Sequence, residues 1–151
     1  MSLYLVLKFI HILLAIVAVG FNASYGIWLA RAATNPAAAP LLLRGVKLMD
    51  DRFANPAYAF LLITGLAMAG TASLPLTTFW IAGATILWLI AMVWGLAMYT
   101  PALKGQIRAL DDKGFDSAEY RQAQQRARTI GVVNLLPIAL ILILMVFKPT
   151  F

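Results

Sequence analysis

The chain has 151 residues, 62% of them hydrophobic and only 12% charged, with a mean hydropathy of +0.85. Soluble domains carry about 25% charged residues, so the apolar surplus here has to face lipid. The absence of cysteine excludes disulfides, thiolate metal sites, iron–sulfur clusters and cysteine nucleophiles, and the net charge of +6 lies almost entirely in two segments between apolar runs, where membrane topology explains it without nucleic acid.

A spanning helix needs about 20 mostly apolar residues, because its backbone must satisfy its own hydrogen bonds across hydrocarbon. Four segments of one membrane domain, 1–151, meet this requirement. The first covers about 3–30. It is longer than a typical hydrophobic h-region and lacks a preceding basic stretch, since Lys8 lies inside the run, which argues against a cleaved signal peptide. The second covers about 55–71, with Asn55 as a cap and Pro56 at the first helical position. The third covers about 77–100 and bends at Pro101 into a polar continuation; the fourth, about 129–147, is broken only by Asn134 and Pro137.

Loop charge sets the expected orientation. The first connection holds Arg31, Arg44, Lys47 and Arg52, and the third holds Lys104, Arg108, Lys113, Arg121, Arg126 and Arg128. The connection from Gly70 to Thr78 is uncharged. Positive residues stay inside, so both termini are expected outside, with Lys148 and Trp80 as interfacial anchors. The expected fold class is therefore all-α: an integral membrane four-helix bundle, N-out and C-out. A cytoplasmic helical hairpin over about 101–128 extends it between helices three and four. Asp116 followed by Glu119 reads as a capping box opening the second arm of that hairpin, and Asp111-Asp112-Lys113-Gly114 as its turn.

Ionisable groups inside a span are expensive and are functional candidates by default. Lys8 and His11 lie one turn apart on one face, which at 100° per residue also carries Tyr4, Ala15, Ala18, Asn22 and Gly26. Lipid would reject the polar members of this stripe, and the small ones permit close helix contact, so it should face the other helices. Counting the helical rise inward puts His11 about 12 Å from the outer end, level with Thr64 and Thr85. Asn22 and Asn134 fall in the inner half, positioned to bond each other as structural polar residues. His11 has two readings. It can be an axial ligand to haem b iron, or an interior histidine bonded to a threonine or a carbonyl. As the only histidine it excludes bis-histidine ligation within one chain, leaving a five-coordinate iron, a Met or Lys second ligand, with Met68 and Met145 as the methionine candidates, or a dimer. Lys8 can pair with a haem propionate or snorkel to the surface. No paired carboxylates, Ser-His-Asp set or phosphate loop is present, so no catalytic residue is assigned.

Several short motifs occur in a recognisable order: Leu7-Lys8-Phe9-Ile10-His11-Ile12, Asp51-Arg52-Phe53-Ala54-Asn55-Pro56-Ala57, Thr64-Gly65-Leu66, Asn134-Leu135-Leu136-Pro137 and Phe147-Lys148-Pro149. Over nearly its whole length the chain resembles a bacterial four-helix membrane group. That group includes HemJ-type protoporphyrinogen oxidases, copper-resistance-D-like proteins and a related uncharacterised family of predicted integral membrane proteins. The resemblance implies the bacterial cytoplasmic (inner) membrane as location and a haem-ligand role for His11. The enzymes' His-x-Lys near the start of helix three is replaced by Trp80-Ile81-Ala82-Gly83-Ala84, and their Asn-Glu by Asn134-Leu135. Without that lysine, porphyrinogen oxidation is not expected, and the uncharacterised branch is the nearer match.

Three functions remain open on these residues. One is a haem b protein in electron transfer or membrane oxidoreduction. A second is a non-enzymatic accessory subunit of a larger membrane complex or homo-oligomer. The third, a small transporter or copper-handling protein, is weakened by the lack of intramembrane acids and by a single histidine. The lipid bilayer is a partner in all three.

Overall fold

In the computed structural model, which describes residues 2–149, the chain forms four long helices, with no strand among the described residues. They are α1 (Leu3–Thr34), α2 (Ala39–Thr71), α3 (Phe79–Lys113) and α4 (Ala118–Phe147), and each is long and apolar enough to cross a membrane. The breaks are local chemistry. Asn35 accepts the Ala38 N–H through its side chain at 3.1 Å beside Pro36, Ser73 takes a positive φ ahead of Pro75, and Gly114 takes φ +85°.

The helices are longer on the charged side than the apolar runs predict. The largest difference is α2, which begins at Ala39 rather than at residue 55. Residues 39–54 escape an apolar-run criterion because they are one-sided: Ala39, Leu43 and Val46 are buried, while Arg44 and Leu41 are exposed. Asn55 is accordingly not a cap but an interior helical residue, with φ −62° and ψ −46°. Pro56 is tolerated inside the helix because Asp50–Ala54 forms a π-turn, in which the Asn55 N–H bonds the Asp50 carbonyl five residues back. Bonding of this register widens the helix just where the proline lacks a donor and its ring would crowd a carbonyl. The same device recurs in α3. Gly95–Tyr99 is a π-turn, the Thr100 N–H bonds the Gly95 carbonyl, and Pro101 follows. At Pro101 the helix widens and runs on to Lys113.

The cap of α4 is also displaced by one residue from the expected capping box. Ser117, not Asp116, is the N-cap: its Oγ accepts the Tyr120 N–H at 3.1 Å and donates to the Gly114 carbonyl at 2.8 Å. Helix α4 then passes through Pro137 without a break.

Two antiparallel hairpins, α1–α2 and α3–α4, make up the fold. The buried core lies toward the charged ends, where Leu43 and Val46 of α2 join Leu103 and Leu110 of α3, with Tyr120 and Ile130 of α4. An Arg44–Asp111 ion pair at 2.8 Å crosses the two hairpins at the surface. Elsewhere the outward faces are apolar, with Phe9, Ile16, Ile63, Ile86 and Val146 all more than half exposed. The inward contacts use small residues, Ala18, Ala57, Ala69, Ala84 and Ala91, which let helix backbones approach. This inversion of the soluble pattern is what a bilayer solvent selects. Two indole N–H groups add specific links: Trp88 donates to the Tyr58 carbonyl at 3.0 Å and Trp94 to the Ile130 carbonyl at 3.1 Å. At the end remote from the charged segments, Lys148 Nζ lies 5.3 Å from the centre of the Trp80 ring.

Candidate functional site

His11 packs against α2. Its Nδ1 lies 2.8 Å from Thr64 Oγ1, and the threonine hydroxyl is 2.8 Å from the Phe60 carbonyl and 3.2 Å from that of Leu61. A hydroxyl has one proton, and here it goes to the carbonyls of its own helix, so toward the imidazole the oxygen acts as acceptor. The contact fits an Nδ1–H tautomer, which would leave Nε2 unprotonated. Among the described residues no side chain bonds Nε2. The next residue of α2 supplies the space. A Cβ at Gly65 would sit 3.2 Å from His11 Cε1 and 3.7 Å from Nδ1, so glycine is what allows the ring to lie on the helix. Thr64 is buried, whereas His11 is only half-buried.

The other candidate residues are arranged less tightly. Lys8 is exposed one turn before His11. Thr85 bonds back to the Ile81 carbonyl of its own helix at 2.8 Å, not to the His11–Thr64 pair. Asn22 and Asn134 line one cleft between α1 and α4, but they do not bond each other. Asn22 donates to the Ala18 carbonyl at 3.0 Å, and Asn134 Oδ1 is buried without a partner.

A second polar cluster lies where the charged and apolar parts of the helices meet. Asp50, 4% exposed, accepts from Asn55 Nδ2 and from Thr100 Oγ1, each at 3.3 Å. It thereby links the π-turn of α2 to the residue that follows the π-turn of α3. Tyr25, Tyr58 and Tyr99 surround this carboxylate within electrostatic reach. Lys47, one turn before it, pairs with the exposed Asp51.

A family model for predicted integral membrane proteins, DUF2269, matches residues 5–149. The chain belongs to the DUF2269 family. No curated protein and no solved structure matches it. Family membership and the four apolar helices bear out the sequence reading of a four-helix predicted integral membrane protein. In this DUF2269 chain the helical count that set His11 level with Thr64 corresponds to a direct contact. Nothing in the sequence pattern singles out Asp50 and the three tyrosines, because Asp50 lies within the charged segment from Arg31 to Arg52. The adjacent pair Asp50-Asp51 only permits a buried acid: neighbours on a helix are 100° apart, so one can face the core while the other faces water.

Proposed function

We propose that this DUF2269 protein binds haem b in the bacterial cytoplasmic membrane and serves electron transfer or membrane oxidoreduction, with His11 as its axial ligand. The observation that carries this reading is the Thr64 hydroxyl on His11 Nδ1. A metal-ligating histidine commonly donates its other ring N–H to a fixed acceptor, which sets both tautomer and ring orientation. Gly65 adds to this reading by letting the ring lie flat on α2, with its Cε1 and Nδ1 against the space a side chain would fill. When bound, the haem supplies one-electron exchange at iron. The chain's own residues hold the ring, exclude water through the surrounding apolar helices, and leave Lys8 one turn away for a propionate. With haem bound, His11 would be the one histidine ligand this chain supplies, and Met68, one turn beyond Thr64 on the same helix, or a second copy would supply any further ligand.

The orientation belongs to the same proposal. The ends of α1 and α2 that meet at residues 35–38, and those of α3 and α4 that meet at 114–117, lie in the cytoplasm because they carry ten of the twelve Lys and Arg residues, Arg31 to Arg52 and Lys104 to Arg128. The helical hairpin made by the ends of α3 and α4 is then cytoplasmic too.

Purification in detergent from haem-sufficient cells, followed by oxidised and reduced visible spectra, tests the function. A Soret band that shifts on dithionite reduction, with one haem per chain, is expected. A folded, colourless protein from such cells contradicts it.

A further inference from the structure

Between α1 and α4 a cleft of about 670 Å³ opens at the level where the charged stretch of α4 gives way to its apolar one. Its volume falls within the range of about 300–1,000 Å³ usual for small-molecule sites. It lies about 21 Å along α1 from His11, judged by the helical rise from residue 11 to Tyr25, so it is a separate feature from the haem reading.

Three residues that line this cleft carry buried polar atoms without a hydrogen-bond partner: Tyr25 Oη, Gln124 Nε2 and Asn134 Oδ1. Tyr25 is only 3% exposed. Orphaned polar atoms in an apolar setting each cost free energy, and native proteins rarely retain several together without a partner for them. Here the set includes donors and an acceptor. Arg128 adds a positive charge at the polar end, and no Asp or Glu lines the cleft. Toward the apolar end the walls become Val132 and Leu135, with Gly26 and Gly131 keeping the helices thin. The lining thus runs from cationic and donor-rich to apolar along the direction of the membrane normal.

We propose that this cleft binds a phospholipid whose head combines a phosphate with free hydroxyl groups, as in phosphatidylglycerol. The phosphate accepts from Arg128, a head-group hydroxyl accepts from Gln124 Nε2 one turn nearer the charged end, the Tyr25 hydroxyl donates to an ester carbonyl, and the acyl chains leave past Val132 and Leu135. A quaternary ammonium head finds no carboxylate in the lining to face, so choline lipids are disfavoured. The phosphate contact is common to both head groups; the preference comes from Arg128 repelling the choline cation, worth about tenfold in affinity.

The test uses the delipidated full-length protein in a neutral detergent, titrated with phosphatidylglycerol or phosphatidylcholine of identical acyl chains and followed by native mass spectrometry. Phosphatidylglycerol should bind first at one molecule per chain, about tenfold more tightly than phosphatidylcholine, and Arg128→Gln should erase that preference. Arg108→Gln, an exposed cation outside the cleft, should keep it. Tyr25→Phe separates binding from folding. Without lipid its Tm should equal or exceed that of wild type, since an unsatisfied hydroxyl is removed, while the rise in Tm on adding phosphatidylglycerol should shrink. Equal binding of the two lipids, or an Arg128→Gln protein that still prefers phosphatidylglycerol, overturns the proposal.

Discussion

Replacement of His11 by alanine should remove the Soret band entirely while leaving a folded four-helix protein. The chain has no other histidine and no cysteine, so no equivalent iron ligand remains. The imidazole is half-buried and makes one side-chain hydrogen bond, so its loss does not collapse a core. Two neighbouring substitutions should grade the effect. Thr64→Val removes the acceptor on Nδ1 but keeps the ligand, and losses of this kind cost about 10–100-fold in metal affinity. Gly65→Leu keeps both bonding groups and instead fills the 3.2 Å gap against Cε1, displacing the ring from its place on α2. Haem content per purified chain should therefore fall in the order wild type, Thr64→Val, His11→Ala, with Gly65→Leu also below wild type. A His11→Ala protein with unchanged haem content would move the ligand elsewhere.

The largest expected effect on stability comes from Asp50→Ala. The carboxylate is buried, and the substitution leaves Asn55 Nδ2 and Thr100 Oγ1 without their acceptor beside a contact between α2 and α3. Stranding buried polar partners costs about 1–3 kcal/mol each in proteins, and the change also opens a small cavity. Thermal unfolding in detergent should show a clear fall in Tm for Asp50→Ala. Thr100→Val, which removes one donor and leaves the carboxylate bonded to Asn55, should fall by less. The neighbouring Asp51→Ala should also fall by less, because its carboxylate is exposed and strands no buried donor other than Lys47, whose side chain is 13% exposed. Equal Tm values for Asp50→Ala and Asp51→Ala would show that the buried carboxylate does not join the hairpins.

The membrane class and the helix count were legible because uncharged apolar runs have few other physical meanings. What the sequence hid follows from two kinds of rule. The first is periodic. Residues 39–54 bury one side and expose charges on the other, so a search for continuous hydrophobicity stops at Asn55 although the helix begins at Ala39. The second is the proline rule, which treats Pro56 and Pro101 as a start and a bend. A π-turn directly upstream absorbs each proline, and both helices continue. Depth counting along straight helices succeeded for His11 and Thr64, which touch. It was insufficient for Thr85, whose hydroxyl turns back onto its own helix, and for Asn22 and Asn134, which share a cleft without bonding. Level along the membrane normal is readable from a sequence; the rotation of each helix about its axis is not, and rotation decides which side chains meet.

Under the proposed haem ligation, Thr64 holds His11 with its proton on Nδ1 and leaves Nε2 free to bind iron. A single histidine makes this directly measurable, since uniformly ¹⁵N-histidine-labelled protein has one imidazole and two ring nitrogens. In the haem-free protein in detergent at pH 8, ¹⁵N NMR should show Nδ1 protonated and Nε2 unprotonated. In the haem-loaded protein, ferric iron should broaden or strongly shift the Nε2 signal. An Nε2–H tautomer in the haem-free protein, or ring signals that added haem leaves untouched, would contradict the account.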